Sequence, residues 1–162
     1  MGELIIINNE VDKAISIMRE VAAWGRNQGY KVWLDEWLTK ELLLTEEAQP
    51  ENFYIGILDD KKACSFILQW NDKYYWPDAM DHEAAYLHKF CVRREFAHMG
   101  MTMKVVECIK VECRKRDIRY IRLDTGYNQE TVKQIYLDSG FKIVRILNYE
   151  NGRTMALYEM EV

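Results

Sequence analysis

The sequence predicts a mixed α/β fold, read as one domain over residues 1–162, and three patterns carry that expectation. Short apolar runs return across turns: Asn52–Leu58 and Ala63–Trp70 flank Asp59-Asp60-Lys61-Lys62, and Phe141–Ile146 and Thr154–Tyr158 flank Asn151-Gly152. A strand over Ala84–Val92, a helix from Gly100 to about Arg116 and a strand over Tyr120–Leu123 make a β-α-β unit. The composition, 49% hydrophobic and 30% charged, suits one globular core.

The elements follow in order. Ile5-Ile6-Ile7 is a short β-branched strand. Asn9 is placed as the N-cap of the first helix, with Glu10 and Asp12 in its first turn; Val11, Ala14, Ile15, Met18, Val21 and Ala22 recur at helical spacing, and Gly29 stops it. Trp33 to Leu44 reads as a second helix or helical turn. After the first hairpin, Asn71 to His82 is polar, aromatic and loop-like. The helix after Gly100 buries Met101, Val105, Cys108, Ile109 and Cys113, and a last helix over Gln129–Ser139 closes at Gly140.

Several function classes are set aside. The net charge is −4, and Lys and Arg are scattered, so no basic stripe suggests nucleic acid. No apolar run reaches the roughly 20 residues that span a membrane, and the opening Met1-Gly2-Glu3 segment is too acidic for a signal peptide. A cytoplasmic protein is expected. Cys64, Cys91, Cys108 and Cys113 form no C-x-x-C pair, and His82, His88 and His98 show no zinc-type spacing with them. Free thiols and no metal are the expectation.

The stretch Phe90-Cys91-Val92-Arg93-Arg94-Glu95-Phe96-Ala97-His98-Met99-Gly100-Met101-Thr102-Met103 is the most informative. A strand ends at Val92, a short loop follows, and Gly100 opens a helix. The first amides of a helix lack internal acceptors and its N-terminus is positive, which suits a phosphate or diphosphate. An ordinary strand-loop-helix connection with a glycine in it is the alternative. Neither a P-loop nor a Rossmann fingerprint is present.

This stretch resembles motif A of the GNAT acetyltransferase superfamily. Val92 fills the strand-ending Val, Glu95 and Phe96 the Glu-Tyr positions, and Gly100 the first Gly. Arg94, Ala97 and Thr102 depart from the pattern. Thr102 offers either a hydroxyl to a phosphate or a crowding β-carbon. Further on, Asn128, Tyr136 and Gly140-Phe141 keep the spacing of motif B.

The resemblance implies a central, mixed, mostly antiparallel twisted sheet flanked by helices on both faces. It also implies N-acetyl transfer from acetyl-CoA to a primary amine in a ternary complex. The backbone of Phe90, Cys91 and Val92 would supply oxyanion donors. The amides of His98, Met99, Gly100, Met101, Thr102 and Met103 would hold the diphosphate. Asn128 would contact the pantetheine arm, and Tyr136 would be the general acid. Asn128 as an N-cap and Tyr136 as a packed helix aromatic are the structural alternatives. A non-catalytic acyl-CoA-binding or sensing module on the same fold is the competing function.

Some family members carry a Glu base at the place of Tyr86. Strand alternation puts Tyr86, His88 and Phe90 on one side, which makes His88 the base candidate; a structural His is the alternative. Glu83 is a weaker candidate. Trp76, in the cluster Trp70-Tyr74-Tyr75-Trp76, and Trp37, in the early helical region that borders the acceptor site in this superfamily, join Tyr86 as acceptor-pocket candidates. Core packing or a homodimer contact weighs equally for the aromatics. The acceptor is read as a small-molecule or peptide amine.

Overall fold

The computed structural model describes residues 2–162. Among the described residues seven strands and four α-helices follow in the order β1 (Ile5–Ile7), α1 (Val11–Asn27), α2 (Lys40–Leu43), β2 (Phe53–Leu58), β3 (Lys61–Gln69), β4 (Ala84–Val92), α3 (Met101–Lys115), β5 (Tyr120–Gly126), α4 (Glu130–Asp138), β6 (Lys142–Asn148) and β7 (Thr154–Glu161). They form two compact units, one of residues up to Gln69 with Lys89–Cys108, the other of Trp70–His88 with Ile109–Val162. The chain passes between units inside β4, after His88, and inside α3, after Cys108.

In the first unit β1, β2 and β3 pair antiparallel, with Ile5 opposite Ile57 and Tyr54 opposite Phe66. The β2–β3 turn puts Asp59 and Asp60 at φ 50° and 65°; two left-handed residues match the right-handed twist of a hairpin. A bulge follows Gly56, where a β-carbon would stand 2.5 Å from Cys64 Sγ, so only glycine lets β2 approach there. α1 buries Ala14, Ile15, Ile17, Met18 and Ala22 against Phe53, Ile55 and Ile67, and Ser65 Oγ donates to Ala14 O at 3.0 Å across that interface.

Two expectations are corrected here. Asn9 stands at φ 60°, and Glu10 is the N-cap of α1, without a side-chain cap bond. Of the two readings of Trp33 to Leu44, a helix or a helical turn, the structure has the second, and a continuous helix is corrected. It holds a 3-10 turn, Asp35–Trp37, and the four-residue α2, capped by Thr39 Oγ1 accepting from Leu42 N. Leu38 is buried between them, and Trp33, Leu43 and Leu44 pack half-buried against the same core.

In the second unit β5 pairs antiparallel with β7, and β7 with β6; β5 runs parallel to β4, with Ala84–Tyr86 opposite Tyr120–Arg122. The mixed, mostly antiparallel sheet expected from the sequence is present. Arg122 lies buried in this unit. Its Nη1 donates to Glu83 Oε2 at 2.8 Å and to Tyr86 Oη at 3.0 Å, its Nε donates to Glu159 Oε2 at 2.9 Å, and its plane lies 4.4 Å from the Trp76 ring centre. A buried charge is tolerated when it is paired and hydrogen-bonded in this way. Among the described residues no helix is long and apolar enough to cross a membrane.

Candidate active site

The first unit carries a strand end and a helix start. β4 reaches Val92; Arg93 N then donates to Ala63 O at 2.8 Å, and its guanidinium pairs with Glu20 at 2.8 Å, tying the strand end to α1. Arg94 lies 3.8 Å from the Trp24 ring centre, and Phe96 is buried. These contacts fix the loop before it turns through His98 (φ 61°) and Gly100 (φ 70°). A β-carbon on Gly100 would meet nothing within 4 Å. Its conformation, not crowding, calls for glycine, and the space beside it is open. Lys104 N is the first to find an intrahelical acceptor, Gly100 O at 3.2 Å. The amides of Met101, Thr102 and Met103 precede it and have none at i−4. Met101 is buried, Thr102 and Met99 half-buried, and His98 and Met103 exposed. Open space beside a left-handed glycine, with free amides behind it, fits a diphosphate.

Within β4, Cys91 points into the core. Burial pushes its thiol up to about 12, and it lies 3.5 Å from Ser65 Oγ, so only its backbone is offered to a ligand. Phe90 is half-buried, edge-on to Phe66 at 6.4 Å. Lys89 stands at φ 53°, left-handed in mid-strand. Side-chain alternation needs an extended residue at every step, so the expected common side for His88 and Phe90 does not hold across Lys89. Trp37 is 52% exposed at the end of its 3-10 turn.

The second unit carries the remaining candidates. Tyr136, on α4, is half-buried, and its ring meets Phe141 at 5.8 Å and Tyr158 at 5.9 Å. Its place is set by how α4 ends: Gly140 at φ 98°, Gly140 N donating to Leu137 O and Phe141 N to Tyr136 O form a Schellman cap, with Phe141 packed on Tyr136. Asn128 is exposed in the turn before α4. The N-cap is Gln129, so the alternative of Asn128 as cap is ruled out.

Trp76 and Tyr86 are core residues. Both are buried with Ala84 and Leu157, and the Tyr86 hydroxyl is bonded to Arg122, which matches the packing alternative and corrects their placement as open acceptor-pocket residues. Glu83 is likewise occupied by Arg122 and is no free base.

His88 is found in a setting the sequence did not announce. Its Nε2 lies 3.1 Å from Asp72 Oδ2, and its Nδ1 lies 3.7 Å from Asp124 Oδ1. Asp72 opens a tight turn, its Oδ1 accepting from Tyr75 N at 3.3 Å and its carbonyl from Trp76 N at 3.0 Å. Asp124 sits in β5. Three donor atoms, one from each residue, lie within 4.8 Å of one another. Only topology joins positions this far apart in the chain. The one local cue was an Asp two residues after Trp70, in a loop that holds two further Asp residues, Asp78 and Asp81.

No protein-family model matches the chain. A curated relative from Bacillus subtilis, named the uncharacterized N-acetyltransferase YesJ, is 20% identical over 144 residues, 85% of this chain and 79% of the relative. A GNAT-family acetyltransferase structure from Listeria monocytogenes superposes with a TM-score of 0.74 at 20% identity, covering 98% of this chain and 95% of that one. The chain carries the GNAT acetyltransferase fold. A second GNAT-fold neighbour, AAC(6')-Ib in complex with ribostamycin and coenzyme A, gives a TM-score of 0.72 at 10% identity over 99% of this chain and 94% of its own. The sequence resemblance therefore stands at the level of the fold.

Proposed function

We propose that this protein is an acetyl-CoA-dependent N-acetyltransferase acting on a primary amine. The observation that carries it is the left-handed turn at His98 and Gly100, which opens α3 with free amides directly after β4. The curated relative's name and a coenzyme A-bound neighbour with the same fold support it.

When bound, acetyl-CoA supplies an acetyl group activated as a thioester. The residues of this chain divide the remaining work. Amides of Met101 to Met103, with the Thr102 hydroxyl, hold the diphosphate charge, and backbone donors of Phe90 to Val92 meet negative charge developing on oxygen. His88 accepts the proton that the amine nitrogen must lose, and Tyr136 holds a proton at Oη for the leaving group.

An assay of free-thiol release from acetyl-CoA over a panel of amines tests this, with turnover on at least one amine as the expected result. Tight binding of acetyl-CoA without turnover on any amine would instead point to an acyl-CoA sensor. Ala97, which offers no polar side chain where the family places Arg or Gln, is the feature that favours that second reading.

A further inference from the structure

Asp72 is a buried carboxylate whose surroundings neutralise it incompletely. It is 5% exposed, and no Lys or Arg among the described residues is ion-paired with it. Its Oδ2 is buried without a hydrogen-bond donor, although His88 Nε2 lies 3.1 Å away. Burying a carboxylate in this way is costly unless a cation or donors arrive.

The geometry says what kind of group would complete the site. A neutral imidazole has one N–H and one lone pair. With the N–H on Nε2, the Nδ1 lone pair faces Asp124 Oδ1 across 3.7 Å; with the N–H on Nδ1, the Nε2 lone pair faces Asp72 Oδ2 across 3.1 Å. With the N–H on Nδ1 an acceptor stands 3.1 Å from the unpartnered Asp72 Oδ2, and a donor is needed between or beside them. An ammonium carries three N–H donors on a compact charge. It can serve a carboxylate and the imidazole together.

The neighbouring walls suit an organic cation. Tyr75 and Tyr149 both lie within electrostatic reach of Asp124, and both phenols are held above their ordinary range, by burial first. Tyr74 stands edge-on to Tyr75 at 4.7 Å. Arg153 already sets a cation against these rings, its Nη2 donating to Tyr75 Oη at 3.0 Å and its guanidinium 5.5 Å from the Tyr149 ring centre, and an alkylammonium is the ligand class such rings beside carboxylates favour. A divalent metal would require further oxygen or nitrogen ligands to fill its shell.

We propose that Asp72, His88 and Asp124 form the acceptor site and receive the acceptor as a primary alkylammonium ion. The two carboxylates hold the charge. His88 takes one proton from the ammonium nitrogen, leaving a neutral amine and an imidazolium. As a substrate assignment this rests on the acetyl-transfer reading; as a binding site it does not.

The test is calorimetric titration of the whole protein in an amine-free buffer at pH 7, with and without coenzyme A. The probes are butylamine, 1,4-diaminobutane and the uncharged isostere butan-1-ol. The amines should bind saturably and butan-1-ol should not. Asp72→Asn and Asp124→Asn should each weaken amine binding roughly tenfold or more, as loss of a charge-assisted hydrogen bond implies. The rise in melting temperature with acetyl-CoA should be unchanged in both variants. Equal binding of butan-1-ol, amine binding unaffected by both substitutions, no saturable amine binding, or preferential uptake of Zn²⁺ or Mn²⁺ at these residues would overturn the proposal. If Asp72→Asn fails to fold, Asp124→Asn and the amine-to-alcohol comparison on the unmodified protein decide. Amine binding without any response to acetyl-CoA would sink the transferase reading and leave this site standing. The reverse result would sink this inference alone.

Discussion

At the scale of single residues, Tyr136 and Arg122 show how differently two polar side chains serve one unit. Tyr136 is half-buried, and its ring is held by Phe141 and Tyr158. Tyr136→Phe keeps that packing and removes only the hydroxyl. It should lower kcat strongly while leaving acetyl-CoA affinity near its original value, and steady-state kinetics beside a direct binding titration would show this. Parallel losses in both quantities would mean a structural role. Arg122 is satisfied by Glu83, Glu159 and Tyr86. Arg122→Ala leaves those acids facing each other with no cation and should cost about 3–5 kcal/mol in urea unfolding. Burial pushes the Cys64 and Cys91 thiols up to about 12 and that of Cys113 up to about 11, so little nucleophilic thiolate exists at neutral pH. Iodoacetamide should therefore label the half-buried Cys108 first, as mass spectrometry of the native protein would reveal; uniform labelling of all four would refute that burial.

At the scale of elements, the loop from Val92 to Gly100 is pre-shaped by its own anchors. Gly100→Ala meets no atom within 4 Å, so any effect is conformational. An L-residue held left-handed costs on the order of 1–2 kcal/mol, and relaxing that strain would move the amides that follow. Acetyl-CoA affinity should fall about tenfold, with a smaller loss of stability, and titration calorimetry beside thermal melts would separate the two. How much of this was legible in the sequence depended on the element. β4 is readable from Ala84 to Val92 because a short apolar segment, interrupted only at His88-Lys89 and rich in aromatics, is the length of a strand and too short for a helix. The start of α1 is not. Asn9 is a favoured capping residue by type, yet a left-handed turn moves the cap to Glu10. His88 is legible as a titratable residue on a strand. Its two carboxylates are not, because Asp72 belongs to a loop and Asp124 to β5, and only the packing of the second unit joins them.

At the scale of the whole molecule, acetyl-CoA should stabilise the native state by about 2.7 kcal/mol at a hundredfold excess over its Kd. A rise in Tm that saturates with ligand is the expected result, and a flat response would remove the basis of the proposed function. The GNAT fold by itself settles less than this, since a shared architecture does not fix a reaction. The proposed proton-handling residues, His88 and Tyr136, both lie in the second unit, and on the proposed reading they separate this chain from a generic acyl-CoA binder.

The left-handed Lys89 falls directly after His88, where the chain leaves one compact unit for the other. A kink at that boundary acts as a firebreak. An insertion or a bulky replacement before it should therefore be tolerated better than the same change within Lys89–Val92, as thermal melts of the two variants would show. On the proposed reading, the part of β4 that ends at His88 and would meet the amine belongs to one unit, and the part from Lys89 that would lead to the nucleotide belongs to the other.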